Sequence, residues 1–156
     1  MKKAFKYFLF LLLLIMAVFT DSKGNRFSLS FLLCTSFLLY KKSDVALIIC
    51  ALTGLFRDFL FFSLPYFALI YLYISVGCVW CCEIFLGINS KRIALITFCS
   101  YLLYFFLCYL INAVFNAYIL IELKDIIYAF LSSILAGVVS PLIFICFKRL
   151  RFWIKK

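Results

Sequence analysis

The chain has 156 residues, of which 69% are apolar and 14% charged, against roughly 45–50% and about 25% in soluble globular domains. That composition excludes an ordinary water-soluble globule. Histidine is absent and only six acids are present, which excludes histidine metal sites, histidine general bases and Ser-His-Asp triads; no catalysis, cofactor or metal is expected. No loop reaches the size of a module that reads bases, so nucleic acid is not an expected partner. Apart from Arg57, the 16 Lys and Arg sit in clusters at the joints between long apolar runs, and the net charge of +10 describes chiefly those joints.

A spanning helix needs roughly 20 apolar residues, range about 17–25. Lys2, Lys3 and Lys6 accompany a first run, Phe5 to Phe19, and Asp21 to Arg26 forms a polar hairpin. A second run, Phe27 to Tyr40, closes on Lys41-Lys42-Ser43-Asp44. The third, Val45 to Phe62, is broken by Ser63-Leu64-Pro65, because proline has no amide proton and disfavours helix in the residue before it. The fourth, Tyr66 to Leu86, ends at Gly87, with Asn89 to Arg92 as the next loop. A fifth, Ile93 to Tyr118, precedes a loop bearing Glu122, Lys124 and Asp125, and a sixth, Ile126 to Phe147, meets a basic tail. The expected fold is all-α: six transmembrane helices forming one integral membrane domain over residues 1–156.

Short cytoplasmic loops collect Lys and Arg. With both termini inside, twelve basic residues lie on the inner face (the starting lysines, Lys41, Lys42, Lys91, Arg92 and the tail) and three on the outer (Lys23, Arg26 and Lys124). This sorting favours a multi-pass protein of the bacterial cytoplasmic membrane with both termini in the cytoplasm. Phe27 to Tyr40 covers only about 21 Å of helix against a hydrocarbon core of roughly 30 Å. It is either a thinned span or a re-entrant segment, and the charge sorting favours the span. The first run also has the basic start and apolar core of a signal peptide, but Ala17-Val18-Phe19 offers no small-x-small cleavage site, so an uncleaved helix is expected.

Ionisable groups inside spans cost about 2.5–3.5 kcal/mol each at mid-membrane unless paired or hydrated. Three qualify: Arg57, Asp58 and Glu83. Glu83 lies near the inner end of its run and is expected to snorkel to the interface. Arg57 and Asp58 point about 100° apart on a helix, so at least one must find its partner on another helix. Gly54 and Asp58 are one turn apart on the same face, and the glycine permits close approach of another backbone with its polar groups. Asn112 and Asn116, also spaced by one turn, fall at the same depth in the fifth run. The expectation is a polar cluster of Arg57, Asp58, Asn112 and Asn116 beside Gly54; the alternative has Arg57 snorkelling outward and the asparagines facing a loop.

In the last run Ala129, Ser133, Ala136, Gly137 and Ser140 make one narrow stripe suited to close helix packing. Pro141 denies the Gly137 carbonyl its amide partner, so a kink is expected there. Cys78-x-x-Cys81-Cys82 lies in apolar helix without histidine, and the eight cysteines are expected to act as small hydrophobes. The aromatic residues, 21% of the chain, are expected to fill space and anchor interfaces.

The short second span ending in Ser36-Phe37-Leu38-Leu39-Tyr40-Lys41-Lys42, the run closing on Gly54-x-x-x-Asp58, and a last helix with Pro141 before the basic end Phe147-Lys148-Arg149-Leu150-Arg151 together resemble the rod shape-determining protein MreD family. The resemblance implies a non-catalytic scaffold of the bacterial cell-elongation complex. It also implies partners: membrane lipids, an MreC-like bitopic protein, MreB-like filaments and peptidoglycan synthases. A rival resemblance is to the substrate-binding component of energy-coupling-factor vitamin transporters, similar in fold, in which Arg57, Asp58, Asn112 and Asn116 would line an outward pocket. That component commonly carries alanine pairs on its first helix, where this chain has only Ala17 between Phe5 and Phe19. A pore needs a continuous polar path, which two separated polar levels do not make.

Overall fold

The computed structural model describes residues 2–22, 27–41, 44–60, 66–84, 89–116 and 122–152; within these, the side chains of 2–9, 22, 41, 82, 112, 115, 116 and 150–152 lie outside the description. Among the described residues there are six helices and no strand: α1 Lys2–Ser22, α2 Leu29–Lys41, α3 Asp44–Leu60, α4 Tyr66–Ile84, α5 Ser90–Asn116 and α6 Leu123–Phe152. They follow the six apolar runs. The helix ends reach past those runs where the flanking polar residues themselves favour helix. Asp44 opens α3, where its charge complements the helix dipole. The Arg92 and Ile93 amides donate to the Asn89 carbonyl at the start of α5, and the Asp125 amide donates to the Glu122 carbonyl at the start of α6. Lys124 pairs with Glu122 beside that turn.

The centre of the bundle is α2. Residues 31–39 are buried without interruption, and α2 touches each of the other five helices. It is a helix of 13 residues, about 20 Å long. Around it α3 packs along α4, α5 packs along α6, and α1 lies against α2 and α3.

The bundle buries polar groups beside an apolar core and exposes many large apolar side chains. Ser28, Ser30, Thr35, Ser36, Thr97, Ser133, Ser140, Arg57 and Asp58 are buried, while Leu12, Met16, Ile48, Leu52, Phe59, Leu69, Leu95, Phe106 and Val138 are exposed. Among the described residues two helical stretches, Ser90–Ile111 and Leu123–Arg149, are long and apolar enough to cross a membrane; Phe10–Asp21, Leu29–Tyr40 and Tyr66–Cys81 are apolar but shorter.

The stripe on α6 packs. Ala129, Ser133, Ala136, Gly137 and Ser140 are all buried, and a Cβ on Gly137 would stand 3.1 Å from the Ala94 carbonyl oxygen and 3.3 Å from Phe98 Cβ on α5. The Ser133 hydroxyl donates to the Ala129 carbonyl at 2.7 Å. Helix α6 continues through Pro141, and the Gly137 carbonyl accepts the Ser140 hydroxyl at 3.4 Å in place of the amide that proline lacks. Glu83 is exposed near the end of α4. Cys78 hydrogen-bonds Ser100 across the α4–α5 contact at 2.9 Å; because the Ser100 hydroxyl donates to the Ile96 carbonyl, the thiol is the donor.

Candidate functional site: a buried polar clamp

The buried charged groups, Asp21, Arg57 and Asp58, gather where the end of α1 meets the start of α2 and the end of α3 meets the start of α4. Asp21, in the last turn of α1, turns its carboxylate onto the start of α2. Its Oδ1 accepts the Leu29 amide at 2.8 Å, and Oδ2 accepts the Ser30 amide at 3.1 Å, the Ser28 hydroxyl at 3.0 Å and the Ser30 hydroxyl at 2.5 Å. These amides are among the four that every helix start leaves without intrahelical partners, and a negative charge there also meets the positive end of the dipole.

Arg57 enters from α3. Its Nη1 donates to Ser28 Oγ at 2.7 Å and to Tyr71 Oη at 3.1 Å, and lies 3.7 Å from Asp21 Oδ2. The guanidinium also stacks over the Phe67 ring, 4.1 Å from its centroid, a favourable placement for a desolvated cation. The ends of this network fix the direction of the relay between them. Arginine only donates and a carboxylate only accepts, so Tyr71 accepts from Arg57 and passes its proton side to Ser30, 2.8 Å away. Ser30 in turn donates to Asp21. Ser28 makes a shorter relay, accepting from Arg57 and donating to Asp21. From α5, the Tyr101 hydroxyl donates to the Ser28 carbonyl. Five helices are therefore tied at one point.

Asp58, one residue beyond Arg57, repeats the device on the second hairpin. Its Oδ1 accepts the Phe67 amide and its Oδ2 the Ala68 amide, both at 2.9 Å, at the start of α4. Gly54 makes the approach possible: a Cβ there would lie 2.6 Å from Ala68 Cα and 2.7 Å from the Phe67 carbonyl oxygen. So the Gly-x-x-x-Asp step is a docking notch with its cap. Below the clamp Phe31 nests against Tyr71, Tyr101 and Tyr104, with ring centroids 5.1, 5.3 and 4.6 Å away.

Of the residues singled out from sequence, Gly54, Arg57 and Asp58 share the buried end of α3; Arg57 and Asp58 both reach α4, and Arg57 also reaches Asp21 of α1. The side chains of Asn112 and Asn116 lie outside the described residues. Sequence reasoning missed Asp21, Ser28, Ser30, Tyr71 and Tyr101. One signal was available: each acid stands at the end of a rising helix, eight or nine residues before the amides it caps in one hairpin and nine or ten in the other.

Fold and site together define an all-helical protein with an apolar exterior and a neutralised Asp–Arg clamp inside. No family model, curated protein or solved structure matches the chain.

Proposed function

We propose that this chain is a six-span protein of the bacterial cytoplasmic membrane, with both termini in the cytoplasm, that acts without catalysis as a scaffold in lateral contact with other membrane proteins. The observation that carries this reading is the clamp. Its charged groups are spent on binding helix ends to one another, which makes a stiff body whose outward faces are apolar and suited to packing against other helices. Lipid offers no hydrophobic force between helices, so such contact depends on fixed, shape-matched surfaces. The shorter helices cross as part of this body, with α2 sheathed by its neighbours.

The particular assembly proposed is the cell-elongation complex, with an MreC-like protein, MreB-like filaments and peptidoglycan synthases as partners. It rests on the resemblance of the Gly54-x-x-x-Asp58 step, the basic turn at Lys41-Lys42 and the basic end of α6 to the MreD pattern. The notch-and-cap role of Gly54 and Asp58 gives that step a structural purpose. Depletion in the host should cost rod shape, and pull-down from mild detergent should recover wall-synthesis proteins. Cells that stay rod-shaped, with no such protein recovered, would refute the assignment.

A further inference from the structure

Beside the packed stripe, α5 and α6 part to leave an open groove of about 510 Å3 on the outside of the bundle. Its floor is small because Ala94 and Gly137 bring the two backbones together, and its walls are Phe98 and Pro141 with Leu95 and Val138 at the rim. The lining is apolar except at one end, where Ser90 and Lys91 stand at the start of α5. From Ser90 to Phe98 the groove runs about 12 Å along the helix, close to the roughly 15 Å depth of one leaflet of a ~30 Å hydrocarbon core. Lys91 is exposed at that end, next to the exposed Arg92.

We propose that this groove is a binding site for an anionic diacyl phospholipid, with one acyl chain laid between α5 and α6 and the headgroup phosphate held by Lys91. The inference rests on the membrane reading above and adds to it a specific site and ligand class. Depth, apolar lining and a single cationic end match the three parts of such a lipid: chain, glycerol level and phosphate. The positive end of the α5 dipole lies at the same level and adds its partial charge. A bound lipid would fill the groove that the Gly137 contact leaves open and extend the smooth outer face of the α5–α6 pair.

The test uses the full chain in mixed micelles, with Leu95→Trp as reporter and Trp80 and Trp153 replaced by phenylalanine, titrated with brominated lipids that quench tryptophan on contact. Brominated phosphatidylglycerol should reach half-maximal quenching at about fivefold lower mole fraction than brominated phosphatidylcholine, the ratio equivalent to the ~1 kcal/mol that one basic residue contributes at an anionic surface. Lys91→Glu should abolish that preference, and Val138→Phe, at an exposed rim position, should weaken quenching by both lipids. Inorganic phosphate should not displace the lipid. Equal quenching by the two lipids, unmoved by Lys91→Glu, would overturn the site while leaving the membrane reading intact. No quenching by either lipid would instead remove the membrane reading itself.

Discussion

Adding one methyl group at Gly54 should unfasten α4 from α3. In Gly54→Ala the new Cβ would stand 2.6 Å from Ala68 Cα, 2.7 Å from the Phe67 carbonyl oxygen and 2.8 Å from the Ala68 amide nitrogen. All three are backbone atoms, so no rotamer change relieves them, and the helices must part by about 1 Å to restore ordinary contact at ~3.5–4.0 Å. The two Asp58 hydrogen bonds, now 2.9 Å, would stretch to about 3.9 Å, beyond useful range. Overpacking costs about 1–3 kcal/mol, loss of bonding to a buried charge about 1.5–3 kcal/mol, and alanine returns up to about 1 kcal/mol of helix propensity. The net expectation is a destabilisation of about 2–5 kcal/mol. The assay is unfolding in mixed micelles by increasing SDS fraction, followed by circular dichroism. Gly77→Ala is the internal control, since a Cβ there meets nothing within 4 Å. If both variants unfold at the same SDS fraction, the notch has no energetic role and the reasoning fails.

Three further outcomes follow from the same geometry. Tyr71→Phe removes the hydroxyl that joins Arg57 to Ser30 and should cost about 1–3 kcal/mol in the same unfolding assay, while Tyr73→Phe, on the exposed face, should change nothing measurable. Asp58→Asn keeps an oxygen for one amide but loses the charge at the α4 start, so it should destabilise by about 1 kcal/mol, and Asp58→Ala by more. Gly137→Ala meets Ala94 O at 3.1 Å and Phe98 Cβ at 3.3 Å and should fall between Gly54→Ala and Gly77→Ala in unfolding midpoint.

The helices were legible because apolar runs, basic joints and the Pro65 break mark them directly, and α6 overran its expected end because Lys148 and Arg149 are themselves good helix formers. The short α2 left two readings open. Only tertiary packing says that it touches every other helix. At the site, Gly54 and Asp58 were readable as a pair because one turn of helix sets their relation. Asp21 was not, because among Thr20, Ser22 and Lys23 it has the company of a loop residue; its role depends on how α1 meets α2. Tyr71 and Tyr101 looked like space-fillers among many aromatics, and nothing local tells which phenol reaches Arg57 or the Ser28 carbonyl. Long-range register assigns those partners, 43 and 73 residues away from Ser28 along the chain.

The most direct test of the clamp is a double-mutant cycle on Asp21 and Arg57, measured as unfolding free energies of Asp21→Leu, Arg57→Leu and the double variant. Each single change strands one buried charge and should cost about 3–5 kcal/mol. The double change strands none, and should cost less than the sum of the two by at least ~2 kcal/mol. Costs that add to within ~0.5 kcal/mol would show that the two groups do not hold each other, and would contradict the clamp.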